Sequence, residues 1–354
     1  MNKTILFATV IFCITLLISC NDKENTTLPE SKTITVSAGG LFAALTPLEL
    51  VTITNLTVKG TIDQRDFMTM SNKMPVLTTL DLSATTVTAY HPFGMDNQFN
   101  FGKDTIPEYA FFSGYMPNTT LKTITLPTSV TTIDDDAFAY CWALTTINLP
   151  STLRTIERRA FSACIALNAV VLSASLTKIE EEAFSQCAAL TTINIPAAVN
   201  QMGRLADNVY SDSYFDVFDK CNALKTITVD VENRYYSSIE GVVFNKSMSK
   251  ILCCPNGKAG SYSIPTSVTE IGSGAFMNCS HINSISIPIS VTIIGNYAFK
   301  SCNGLNSLYV HPPVPLHYYD FESNNNITLY VPANSVEAYK ASYYWNECKN
   351  IVAM

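Results

Sequence analysis

Charge is scarce in this 354-residue chain: Asp, Glu, Lys and Arg make up 14% of it, against roughly 25% in an ordinary soluble protein. A basic excess is absent as well. The formal net charge is −7, which argues against a protein that tracks nucleic-acid phosphates. Only four histidines are present, and none stands in an H-E-x-x-H pattern. Signatures of the G-x-S-x-G, G-x-G-x-x-G and P-loop kinds are missing, and no C-x-x-C pair offers zinc-ligand spacing. No catalytic residue, cofactor or metal is therefore expected. Past the first twenty residues no apolar run approaches the roughly 20 residues of a membrane-spanning helix. Thr, Ser and Asn fill the place of charge, so the surface is rich in hydroxyls and amides. An apolar share of 47% suits a packed core and excludes a charge-driven disordered chain.

The start of the chain reads as an address. Lys3 supplies a positive charge, and residues 5–18 are apolar apart from Thr9, Cys13 and Thr15, the layout of a secretory signal. Leu17-Ile18-Ser19-Cys20 resembles a bacterial lipobox, with a branched apolar residue three places before a Cys and a small residue directly before it. The resemblance implies that residues 1–19 are removed and that Cys20 is acylated and holds the protein on a membrane; stable anchoring takes two lipid signals. Residues 20–32 are polar, contain Pro29 and lack periodicity, so they are expected to be a flexible tether. The acids directly after Cys20 resemble the export signal of surface lipoproteins in anaerobic Gram-negative gut bacteria, which implies an outward-facing position on the outer membrane.

The body of the chain is a repeat, the feature to seek before local structure is assigned. Ala137-Phe138-Ala139-Tyr140-Cys141 recurs around Phe161 and Cys164, Phe184 and Cys187, Phe276 and Cys279, and Phe299 and Cys302. A diverged copy holds Phe218 and Cys221, and an earlier one begins at Ala110-Phe111 with Gly114 in the Cys place. The Phe-to-Phe steps are 23, 23, 34, 58 and 23, so one coil carries an insertion and one lacks the signature. Each period also contains a stretch such as Leu144-Thr145-Thr146-Ile147-Asn148-Leu149-Pro150, the L-x-x-L-x-L spacing of a leucine-rich-repeat strand. Alternation points Ile147 and Leu149 inward and Thr146 and Asn148 outward, and Pro150 ends the strand. A second short strand is expected at Val130-Thr131-Thr132-Ile133. One helical turn is then expected over Asp134-Asp135-Asp136-Ala137-Phe138, with the acids at its positive end. Stacked coils bury each other's apolar faces. Eight or nine coils at strand spacing give an array roughly 40 Å long.

The A-F-x-x-C, L-x-x-I-x-L-P and V-x-x-I pattern resembles the BspA-like leucine-rich repeat family of bacterial surface proteins. Asn233-Arg234-Tyr235-Tyr236-Ser237-Ser238-Ile239-Glu240-Gly241-Val242-Val243-Phe244-Asn245-Lys246 is similar to that family's interrupting hairpin. Leu329-Tyr330-Val331-Pro332-Ala333-Asn334-Ser335 and the residues that follow resemble its C-terminal cap. The expected fold is an α/β, strand-rich repeat solenoid, a right-handed array of coils with a parallel sheet. Its parts are an atypical N-terminal cap at 33–100, a solenoid at 101–310 interrupted near 203–216 and 230–262, and a cap at 311–354.

A Cys locked to the repeat period is a packing position. Phe138, Cys141, Phe161, Cys164, Phe184, Cys187, Phe218, Cys221, Phe276, Cys279, Phe299 and Cys302 are therefore read as a buried structural ladder, the thiols acting as small hydrophobes. Adjacent Cys253 and Cys254 would point opposite ways on a strand. Two surfaces are candidates for binding. One is the insertion at 207–216, where Tyr210, Asp212 and Tyr214 mix acids with aromatics, a composition suited to recognition. The other is the outward strand row, including Thr146, Asn148, Thr192 and Asn194 and equivalents such as Ala169/Val171 and Ser307/Tyr309, since solenoids commonly bind on their concave side. The family resemblance implies a cell-surface binding role, often adhesion to host proteins or other cells. The rival expectation is a glycan-binding module of a nutrient-uptake system. A protein or glycan partner, a membrane reached through Cys20 and no nucleic acid complete the expectation.

Overall fold

The computed structural model describes residues 30–91, 102–112, 116–203, 217–317, 326–343, 345–346 and 348–354. The chain is a parallel-stranded solenoid of about 12 turns, spaced about 23 residues apart. That is more than eight or nine, because both ends add coils without the Ala-Phe signature. Strands Ser31–Val36, Asn55–Ile62 and Thr79–Val87 precede Thr123–Thr125 and Thr146–Asn148 in one parallel sheet. At the far end Thr328–Val331 and Asn350–Ala353 follow Gly260–Ser263, Ile282–Ile287 and Ser307–Val310.

The register keeps equivalent positions of successive coils side by side. Thr123, Ile124 and Thr125 pair with Thr146, Ile147 and Asn148. Ile124 and Ile147 are buried, as alternation requires. A second row of two-residue strands, Thr105–Ile106, Thr132–Ile133, Thr155–Ile156, Lys178–Ile179 and Gln201–Met202, forms another side of each coil.

The third side corrects the helical turn expected at 134–138. No helix forms there. The N–H groups of Asp136, Phe138 and Tyr140 reach forward to the carbonyls of Arg158, Ala160 and Ser162 in the next coil, at 3.0, 2.8 and 2.8 Å. Those of Ala137, Ala139 and Cys141 bond back within their own coil to Asp134, Asp136 and Phe138. A helix would turn every N–H inward to the same chain; the stack offers alternate ones a partner next door. The residues at Asp136 and Tyr140 take φ of 53° and 59°, a left-handed conformation that costs non-glycine residues of order 1 kcal/mol each. The inter-coil bonds offset that cost. The Phe rings of this side stack coil on coil, with centroids 5.2, 5.3, 5.2 and 5.9 Å apart from Phe111 through Phe138, Phe161 and Phe184 to Phe218. The ladder restarts with Phe276 and Phe299 at 5.4 Å.

An antiparallel hairpin, Tyr236–Ile239 with Val242–Asn245, interrupts the coils. Glu240 and Gly241 form its two-residue turn with φ of 50° and 82°, the positive pair that a type I′ turn needs. Fully buried Asn233 fixes its entry. The Asn233 amide donates to the Pro196 and Val199 carbonyls at 2.9 Å, and its Oδ1 accepts from the N–H groups of Tyr235 and Tyr236 at 2.8 Å. At the C-terminus the Trp345 indole N–H donates to the Leu316 carbonyl at 2.7 Å, and the Tyr339 hydroxyl to that of Pro312 at 2.8 Å.

Candidate functional site

The outward face of the main sheet is built from the repeat itself. Each coil sends one short strand across it, and the odd positions of that strand face out. Thr146, Asn148, Thr192 and Asn194 are exposed there. Side chains bridge neighbouring coils: Asn148 Nδ2 donates to Thr125 Oγ1 at 3.1 Å, and Thr228 Oγ1 donates to Asn194 Oδ1 at 2.8 Å. Among the described residues, the outward strand positions of the main sheet face from Thr123 to Val352 carry no charge.

One expected pair, Ala169/Val171, is not on a strand. Residues 168–172 form none, and the sheet is divided there between Thr146–Asn148 and Thr192–Ile195. Thr54, Thr78 and Thr145, each one residue before a strand, donate from Oγ1 to a carbonyl of the preceding coil, at 2.9, 3.0 and 3.1 Å. Asn168 stands in the equivalent position. Val171 is left 84% exposed. The face therefore has an interruption between the Thr146/Asn148 and Thr192/Asn194 pairs.

In the C-terminal part the register sets Ser263, Ser286, Tyr309, Tyr330 and Val352 in one row across five strands. The Tyr309 and Tyr330 rings stack at 4.5 Å with 10° between their planes. Ser286 Oγ lies 3.3 Å from His311 Nε2. Tyr330 escaped the sequence reading because its segment was assigned to a cap. The signal was present: Thr328-Leu329-Tyr330-Val331 repeats Ser307-Leu308-Tyr309-Val310.

Of the other expected site residues, Cys20, Tyr210, Asp212 and Tyr214 lie outside the described residues. Phe138, Phe161, Phe184, Phe218, Phe276 and Phe299 are buried, as are Cys141, Cys164, Cys187, Cys221, Cys279 and Cys302. No disulfide joins these thiols. Asp135 and Asp136 serve the next coil rather than a helix start, while Asp134 Oδ1 accepts the Asp135 N–H at 2.9 Å. Asp136 pairs with Arg159 at 2.7 Å, and Asp135 Oδ1 accepts the Arg158 N–H at 3.0 Å. Burial raises the Asp136 carboxyl from its ordinary value, and the Arg159 pair acts against that rise. Among the described residues no group of His, Cys, Asp and Glu is placed to hold a metal ion. Where the hairpin breaks the Phe ladder, a cavity of about 10 Å³ is lined by Phe218, Asp219, Asn256 and Met277 among others, room for a single water. No helix among the described residues is long and apolar enough to cross a membrane.

Residues 104–230, 212–328 and 253–353 match the family model of the BspA type leucine-rich repeat region, in six copies. The chain belongs to the BspA-type leucine-rich repeat family. Among solved structures it is similar to a leucine-rich cell surface protein of Faecalibacterium prausnitzii, at 23% identity over 83% of each chain and a TM-score of 0.49. It is also similar to the pneumococcal vaccine antigen PcpA, at 19% identity over 72% of this chain and 85% of that one, with a TM-score of 0.38. A leucine-rich repeat protein of Bacteroides ovatus is 18% identical over 75% of this chain and 91% of that one, with a TM-score of 0.33. No curated protein matches. A BspA-type solenoid is consistent with a protein-binding repeat module.

Proposed function

We propose that this BspA-type chain is a non-catalytic binding module displayed on a bacterial outer membrane, anchored through acyl chains on Cys20, whose ligand is a host protein or a protein of a neighbouring cell. The observation that carries this reading is the outward sheet face. Among the described residues it is broad, broken at 168–172, uncharged from Thr123 onward and dressed in hydroxyls and amides, a surface that lies against a large partner rather than enclosing a small one. Short Thr and Ser side chains make poor hot spots, whereas Tyr makes good ones. By composition the Tyr210, Asp212 and Tyr214 insertion carries such anchors, so in this reading it contributes more per residue than Thr146, Asn148, Thr192 or Asn194.

The test uses intact cells that carry the full chain, applied to surfaces coated with individual host matrix proteins. Cys20→Ala is expected to move the protein from the membrane into the soluble fraction and to abolish attachment. Tyr210→Ala with Tyr214→Ala is expected to weaken attachment about tenfold or more, the scale of a hot-spot loss, and Thr146→Ala with Thr192→Ala to do less. Attachment equal to that of wild-type cells when the protein is deleted sinks the proposal. A larger effect from the Thr pair moves the contact onto the sheet. Membrane retention of Cys20→Ala removes the lipid anchor from the account.

A further inference from the structure

The sheet face is not uniform, and its C-terminal end differs in kind. Across the row that ends in Val352, two strands present only serine, at Ser263 and Ser286, before the row steps up to the Tyr309 and Tyr330 rings. Strands lie about 4.8 Å apart. A floor of two serine strands is therefore close to 10 Å wide, and one side of it is closed by a flat aromatic ring. Tyr330 stacks on Tyr309 at 4.5 Å with 10° between the ring planes, so one face of Tyr309 is covered. The register pairs Ser286 with Tyr309 on the side away from Tyr330, and the His311 imidazole reaches the same serine, with Nε2 3.3 Å from Ser286 Oγ.

We propose that this step is a binding site for a neutral hexose unit of a polysaccharide, with the Tyr309 ring as its stacking wall and Ser263, Ser286 and His311 as its hydrogen-bonding partners. The proposal rests on reading the main sheet face as the binding surface. A pyranose has one face of C–H groups and a rim of hydroxyls. The first needs a flat aromatic wall; the second needs small neutral groups that both donate and accept, as serine hydroxyls and imidazole do. The outward strand positions here carry no Lys or Arg, so a sulfated or uronic-acid polymer finds no counter-charge, and a nucleic-acid base stacked on Tyr309 would leave its phosphates unpaired. The proposed site uses none of the residues of the 207–216 insertion, so substitutions in each can be tested one at a time.

Native affinity electrophoresis of the full chain in gels cast with galactomannan, arabinoxylan or amylopectin, and with polygalacturonate as the charged comparison, tests the site. At least one neutral polymer is expected to retard the protein, and polygalacturonate is not. Tyr309→Ala is expected to weaken retardation about tenfold, the scale of one stacking contact, and Tyr309→Phe to keep it within about threefold. Ser286→Trp fills the step and is expected to abolish it, while an unchanged melting temperature shows that the substitution at this half-buried position left the fold intact. No retardation of the wild-type chain by any neutral polymer overturns the proposal, as does equal retardation of Tyr309→Ala. Loss of attachment to a coated matrix protein in Tyr309→Ala, with no polymer retarded, also overturns it and leaves the protein-binding reading standing.

Discussion

At the residue scale, the ladder cysteine does two jobs in one position. The Cys164 side chain fills the space beside Phe161 and is fully buried. Its Sγ–H also donates to the Phe138 carbonyl of the preceding coil at 3.2 Å, and that carbonyl already accepts the Cys141 N–H at 3.1 Å. The same link repeats from Cys187 to Phe161 at 3.3 Å, from Cys221 to Phe184 at 3.0 Å and from Cys302 to Phe276 at 2.9 Å. A sulfur satisfies a second lone pair without the desolvation cost of a hydroxyl. Burial pushes the thiols of Cys141, Cys164, Cys187, Cys279 and Cys302 well above the ordinary range. A group whose folded pKa is raised stabilises the native state fully below its unfolded value, near 8.5 for a thiol, and that stabilisation is lost as pH climbs past it. Each thiol then contributes a slope of about 1.4 kcal/mol per pH unit, and the five together about 7. Urea unfolding between pH 8 and 10 is expected to show this steep alkaline loss. Cys164→Ala combined with Cys187→Ala is expected to reduce the slope by about two-fifths. An unchanged slope in that double variant would mean that the thiols ionise freely in the folded chain.

At the element scale, the parts legible in the sequence are those whose residues face the core of their own coil. Ile147 and Leu144 declare a strand by spacing alone, and Phe161 and Cys164 declare the ladder by recurrence. Illegible features depend on a neighbour 23 residues away. The turn at 134–141 has a helical composition, but its alternate N–H groups are claimed by the next coil. Residues 168–172 keep apolar alternation, yet they form no strand and the sheet is divided there. Tyr309 gains meaning only when the register places Tyr330 against it. Two glycines show how such neighbours decide a substitution. Gly241 in the hairpin turn has φ +82°, and a Cβ there would stand 2.9 Å from the Thr226 Cα. Gly260 has φ +85° with nothing within 4 Å of that position. Gly260→Ala is expected to cost about 1 kcal/mol, the left-handed penalty alone. Gly241→Ala is expected to cost about 2–3 kcal/mol, because backbone must move as well. Equal melting temperatures for the two variants would show that the hairpin is not pressed against Thr226.

At the scale of the whole molecule, the solenoid holds two apolar cores rather than one. The first runs from Val36 to Ile227 and includes Val243 and Cys253; the second runs from Tyr262 to Cys348 and includes Val242, Phe244, Ile251 and Cys254. The hairpin and the strand after it thus form a partition that contributes side chains to both cores, and adjacent Cys253 and Cys254 fall on its two sides. Repeat arrays are stabilised by their own coils and by the interfaces with nearest neighbours, and local opening follows such units. Phe161 stacks between Phe138 and Phe184 in the first core, and Phe276 stacks on Phe299 in the second. Phe161→Ala and Phe276→Ala are each expected to cost about 3–5 kcal/mol, as large-to-small core changes do. The distribution of that loss reports on the partition. Hydrogen exchange of Phe161→Ala is expected to quicken at 102–203 and to stay near wild-type rates at 260–317, with the reverse pattern in Phe276→Ala. Acceleration along the whole chain in either variant would mean that the partition transmits unfolding, so that the two cores melt as one.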